Sequence, residues 1–289
     1  MKKTIFFLFI TILTFSCKNN PVTYNDSVPK HDSLKIVSKF TNDDRVINIW
    51  TPPTYEESTN NFPVLYMPDG GTKEDFPHIA NTLEKLIAEN KIPECILVGI
   101  ENTERRRDLT GPTKVAYDLE YIPNAGGADN FRKFIKNELF PLINEKYRTT
   151  NKKYIIGESL AGLFVVETFL VDHNMFDNYI AFDPSIWFNE QYLVKNFESL
   201  VKDKNYKDKK IWFAGSDAED ISKYTKELDQ KLNNSKDNFV WKYSDEPNEQ
   251  HNTIFRATKE KALIWSLGKP TKKKRSQSIG WSYLWYFSF

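Results

Sequence analysis

Five short apolar runs, each followed by a stretch with helical spacing or a polar loop, constrain this chain more than any other feature. The runs are Pro63–Met67, Ile96–Ile100, Tyr154–Ile156, Tyr179–Phe182 and Ile211–Ala214. Asp75 to Glu89 has helical spacing, with Ile79, Leu83, Leu86 and Ile87 recurring. Asn130 to Tyr147 does too, with Pro141 predicted to kink it. Leu34–Phe40 and Arg45–Trp50 alternate around Asn42-Asp43-Asp44 and predict an antiparallel hairpin. Phe239–Tyr243 predicts a last strand, and Thr253–Leu267 a last helix. Strands alternating with helices imply an α/β fold: a mostly parallel sheet with helices on both faces. Sites in such sheets form at the carboxyl ends of the strands.

The sequence Tyr154-Ile-Ile-Gly-Glu-Ser159-Leu-Ala-Gly is the sharpest local signal. A strand, a tight turn of small residues and a helix would lift the Ser159 hydroxyl above the sheet edge. The plainer alternative is an ordinary turn with Ser159 capping a helix. A serine nucleophile needs a base to take its proton. His251 lies in the polar loop between the final strand and final helix and fits that role; His31, His78 and His173 are weaker candidates. An acid is expected after Ile211–Ala214, where Asp217, Glu219 and Asp220 compete. Asp217 follows the turn glycine most closely and is the first choice, with Asp183 outside that loop as a further candidate. Oxyanion donors are expected from the Leu160 amide and from Gly71, with Gly70 and Thr72 as neighbours.

With 289 residues, 40% of them hydrophobic, the chain can bury one large core. A net charge of +1 gives no argument for a nucleic-acid partner. Lys2 and Lys3 precede an apolar run from Ile5 to Phe15, then Cys17. This reads as a lipoprotein-type export signal over residues 1–17, with Cys17 acylated and the membrane reached through that lipid. The run is too short to span a bilayer comfortably. Residues 18–32 predict a flexible tether, 33–267 the folded domain, and 268–289 a basic, aromatic tail. Once Cys17 is lipidated only Cys95 remains, in an apolar run, so no zinc cluster is expected.

Several further segments complete a pattern. They are Tyr66-Met-Pro-Asp-Gly-Gly71, Val98-Gly-Ile-Glu-Asn102, Arg107-Asp-Leu-Thr110, Gly126-Gly-Ala128 and Glu138-Leu-Phe-Pro141. Gly157-Glu-Ser-Leu-Ala-Gly-Leu-Phe164, Asp183-Pro-Ser-Ile-Trp187 and Gln250-His251 follow. Together they resemble the serine esterases of the enterobactin-esterase and esterase-D type, which are α/β hydrolases. The resemblance covers about residues 33–267. It implies hydrolysis of carboxylic esters through an acyl-serine, with Ser159 as nucleophile, His251 as base and no cofactor. Arg107 then resembles an arginine of the substrate cleft, to pair with a substrate carboxylate or anionic siderophore, the alternative being a bridge to Asp108. Trp187, near a strand end, is a candidate to stack on catechol or sugar rings, with core packing as the alternative. Some relatives work with little more than a Ser–His pair. Three departures stand out: Glu158 replaces a histidine, Ala161 a glycine, and Asp183 the first serine of Ser-Pro-Ser. Small-molecule siderophore esters, or acetyl and feruloyl esters on polysaccharide, are the substrates this suggests. An acyltransferase, or a binding protein without turnover, are the rivals.

Overall fold

A computed structural model describes residues 25–235 and 239–268. The export signal with Cys17 and the tail from residue 269 lie outside the described residues.

Eight strands form one sheet in the order β1-β2-β4-β3-β5-β6-β7-β8. A hairpin opens it, β1 (Asp32–Val37) against β2 (Asp44–Trp50). The other strands are β3 (Phe62–Pro68), β4 (Ile96–Ile100), β5 (Thr149–Glu158), β6 (Asn178–Phe182), β7 (Lys210–Gly215) and β8 (Val240–Asp245). All six run parallel, and the two antiparallel pairings are those of β2, with β1 and with β4.

Side-chain alternation splits the strands between two cores. Leu65, Met67, Leu97, Ile156 and Phe182 pack on α1 (Phe76–Ala88) and the final helix. Val64, Tyr66, Val98, Ile155 and Phe213 face the opposite layer. A strand covered on both sides must be apolar throughout, which is why these runs carry no polar alternation.

Between β4 and β5 lie α2 (Arg105–Asp108), α3 (Ala116–Tyr121) and α4 (Ala128–Phe134). A π turn, Ile135–Leu139, then leads into α5 (Phe140–Lys146). Pro141 has no N–H to return to residue 137, and the Phe140 N–H reaches back five residues to Ile135 O. The expected kink therefore takes the form of a widened turn. The short α2 and α3 are additions to the sequence reading: their four and six residues are too few to show a period.

After β5 comes α6 (Leu160–Val171), buried along almost its whole circumference. It is followed by α7 (Phe188–Lys195) and α8 (Phe197–Val201) after β6, α9 (Glu219–Asn234) after β7, and α10 (Ile254–Leu267) after β8. The N-terminal segment departs from a free tether. Asp26 pairs with Arg256 at 2.6 Å, and the Ser27 carbonyl accepts from Asn81, so residues 26 and 27 are tied to α10 and α1.

Three neighbouring strands end in left-handed residues: Asp69 after β3 (φ 57°), Ser159 after β5 (φ 57°) and Asp183 after β6 (φ 41°). Non-glycine residues pay about 1–3 kcal/mol for such backbone, and such strain clusters at functional sites. Tight space fixes the rest of the Ser159 turn. A Cβ on Gly157 would lie 2.7 Å from Ala161 backbone atoms.

Candidate active site

Ser159 sits between β5 and α6, its own N–H donating to Phe182 O of β6 at 3.0 Å. Its hydroxyl lies 3.2 Å from His251 Nε2. His251 Nδ1 lies 2.7 Å from Asp183 Oδ2. Asp183 is fully buried and accepts two further bonds, from Ser216 N–H (3.0 Å) and Ser216 Oγ–H (2.5 Å). A carboxylate so held keeps Nδ1 of His251 as the donor, which leaves Nε2 free to accept the serine proton.

The structure thus corrects the acid. Asp217 is exposed and has no contact with the imidazole; its N–H donates to Glu249 O at 2.8 Å and steadies the histidine loop through the backbone. Glu219 and Asp220 open α9. Asp183 wins because β6 lies beside β5 in the sheet, so the end of β6 is adjacent to Ser159.

Bonding to Asp183 raises the proton affinity of His251, burial opposes this, and the Glu158 charge adds to the rise. Glu158 is the last residue of β5, immediately before the nucleophile. Burial pushes its carboxyl up to about 7, with Asp75 and Asp69 adding repulsion and His251 and Arg105 working against it.

Leu160 opens α6, so its N–H is one of the orphan donors of a helix start. The second expected oxyanion donor needs correction. Gly71 N–H is engaged by Glu74 Oε2 at 2.7 Å, and Gly70 N–H by Ile100 O at 2.9 Å. Glu74 also accepts from Asn102 Nδ2 at 2.8 Å, and Asn102 donates to Asp69. Burial raises the Glu74 carboxyl, against these bonds. Sequence reading missed this network because Glu74 and Asn102 meet only once β3 and β4 are paired.

A cleft of about 660 Å³ opens over Ser159, Leu160, Ser185 and His251. Arg105 and Arg106, Tyr117 and Tyr121 of α3, and Trp187, Gln191 and Tyr224 also line it. Trp187 lies where sequence placed it. Arg107 does not. It donates to Asp108 Oδ1 at 2.8 Å and Asp43 Oδ2 at 2.6 Å, and joins buried Arg45 in a four-residue ionic network that ties α2 to the start of β2. Its neighbours Arg105 and Arg106 do line the cleft, and Arg105 is gripped through two bonds by Asp69 (2.6 and 2.8 Å). Among the described residues, no group of three or more His, Cys, Asp or Glu is placed to hold a metal ion.

A buried acid, an oriented imidazole and a serine on a strained turn can together carry out acyl transfer. Comparison with known proteins agrees. The esterase family model, described as "Putative esterase", matches residues 38–266. The ferri-bacillibactin esterase BesA of Bacillus subtilis is 32% identical over 184 residues, 57% of this chain and 63% of that protein. A siderophore triacetylfusarinine C esterase of Aspergillus fumigatus is 34% identical over 104 residues, 35% of this chain and 34% of that protein. The matched segments therefore span less than two thirds of either relative. An IroE-like serine hydrolase from Shewanella oneidensis superposes with a TM-score of 0.75 at 26% identity, covering 82% of this chain and 79% of that one. The sheet and its helical layers are those of an α/β-hydrolase fold.

Proposed function

The chain belongs to this esterase family, and on that footing we propose that it is a serine carboxylic-ester hydrolase acting on siderophore esters. The observation that carries the reading is the continuous line Ser159–His251–Asp183, with contacts of 3.2 and 2.7 Å. Ser159 Oγ attacks the ester carbonyl while its proton passes to His251 Nε2. Asp183 holds the ring and stabilises the imidazolium. The Leu160 N–H stabilises the oxyanion. Collapse expels the alcohol, which takes the proton from Nε2. Water, deprotonated by the same nitrogen, then releases the acid and restores Ser159.

Siderophore esters are favoured because two relatives carry that activity in their names, and because Tyr117, Tyr121 and Trp187 give the cleft an aromatic wall. Intact-mass analysis after treatment with a fluorophosphonate tests the chemistry. A single adduct on the wild type, absent from Ser159→Ala and His251→Ala, is expected. A folded wild type that takes no adduct would sink the reading. Hydrolysis of a triscatecholate trilactone, followed by chromatography, tests the substrate.

Export and lipid anchoring at Cys17 are part of the same proposal, supported by Lys2, Lys3 and the apolar run before that cysteine. Labelled palmitate should enter the full chain and be lost on Cys17→Ala. A chain that stays unlabelled in growing cells rules anchoring out.

A further inference from the structure

The cleft is bounded by a segment of unusual backbone. Asn189, Glu190 and Gln191 are all left-handed, with φ of 52°, 52° and 62°, and none is glycine. Three such residues in succession form a turn of the wrong hand for L-amino acids, and persist only where the surroundings dictate it. The segment begins two residues after Trp187 and six after Asp183, and Glu190 and Gln191 line the cleft.

Asp118 supplies the constraint. It is 2% exposed, yet carries no ion pair among the described residues. Its Oδ2 accepts the Asn189 N–H at 2.8 Å and the Thr113 hydroxyl at 2.8 Å. Thr113 Oγ1 in turn accepts the Val115 N–H at 3.1 Å, immediately before α3. One buried carboxylate therefore ties α3 to the left-handed turn. A single side-chain oxygen suits the task, because it can accept both bonds at once. The same helix carries two of the aromatic rings that line the cleft. Tyr117, next to Asp118, lies 6.3 Å from Trp187 and 4.9 Å from Tyr121, centroid to centroid.

We propose that Asp118 is a specificity-determining positioning residue, clamping α3 and the left-handed turn into a groove that takes a planar aromatic arm of the ester. This rests on reading the cleft as the substrate cleft of an esterase. Asp118 touches neither Ser159 nor His251, so its effect is on the fit of the arm and not on the reacting atoms.

The test separates binding from turnover. Calorimetry of the full chain uses N-(2-naphthyl)butyramide, which resists hydrolysis. The wild type should bind, Asp118→Ala about ten-fold more weakly, Thr113→Val about three-fold more weakly, and Asp118→Asn close to wild type. Thr113→Val keeps the side-chain shape and guards against misfolding of the alanine variant. A merely structural role would lower the melting temperature of Asp118→Ala without moving affinity well below it. Equal affinity across the wild type, Asp118→Ala and Thr113→Val overturns the clamp, as does a wild type that fails to bind. Hydrolysis of 2-naphthyl butyrate is followed in the same preparations. Binding without hydrolysis overturns the esterase reading and leaves the clamp standing.

Discussion

Asp183 Oδ2 lies 2.7 Å from His251 Nδ1 across 68 residues of sequence, joining the end of β6 to the loop after β8. The acid is drawn from the strand next to the nucleophile's own. Asp183→Asn should lower kcat by roughly a hundred- to ten-thousand-fold, since the amide can present N–H to the ring and favour the wrong tautomer. Asp217→Asn should keep kcat within about two-fold, because only its backbone engages the histidine loop. Steady-state kinetics on an aryl ester checks both, and the opposite ranking would return the role to β7.

Glu158 contributes, after Asp183, to the pH at which the base works. His251 must be neutral to accept a proton, and its proton affinity is raised by Asp183 and further by Glu158. The acid limb of kcat/KM should therefore lie above the ordinary histidine value of 6.5. Glu158→Gln removes one source of that rise and should move the limb to lower pH. Because Glu158 itself titrates near 7, the wild-type limb should be broader than a single ionisation. A pH–rate profile that does not move in the variant dismisses the coupling.

The same carboxyl bears on stability. Its folded value near 7 lies above the ordinary 4.5, so the fold binds this proton more tightly than the unfolded chain. Stability from this group is present below pH 4.5 and is lost as pH rises through 7. Glu158→Gln should therefore gain on the order of 2 kcal/mol relative to wild type at pH 8, and little at pH 5. Urea unfolding at the two pH values reads this directly.

Arg105 and Arg107 should behave as opposites. Arg107→Ala breaks two ionic contacts outside the cleft and should cost about 1–2 kcal/mol of stability with KM barely changed. Arg105→Ala strips Asp69 of its bidentate partner at the cleft wall and should lower kcat/KM about ten-fold. If instead Arg107→Ala raises KM, the side chain reaches substrate in a way its bonds here do not foretell.

Gly70 is confined by the neighbouring strand. A Cβ there would lie 2.3 Å from Gly99 Cα and Ile100 N, backbone atoms that cannot turn aside. Gly70→Ala should cost about 3 kcal/mol, at the upper end for overpacking, and reduce soluble yield. A melting temperature equal to wild type would show that β3 and β4 can part.

The inner strands were legible because a strand covered on both faces has to be apolar throughout. Ile96–Ile100 coincides with β4 to the residue. β5 reaches back to Thr149 through Asn151, Lys152 and Lys153, whose polarity hid its first half from a reading based on apolar runs. Ser159 and His251 were legible from local context, a strand-to-helix turn and the loop after the last strand. Asp183 carried a signal as well, standing at a strand end before Pro184, but its rank depended on strand order. Apolar runs do not reveal which strands are neighbours. Arg105 and Arg107 were separable only by the turn of α2, which directs one to Asp69 and the other to Asp43.

The reacting groups come from β5, β6 and the loop beyond β8, so no fragment of the sheet can assemble them. Recovery of fluorophosphonate reactivity after dilution from denaturant should thus follow the slowest phase of refolding, when the last long-range strand pairings close. A chain that regains helical signal early would stay inert to the probe until β8 docks on β7, and the label would serve as a clock for completion of the sheet.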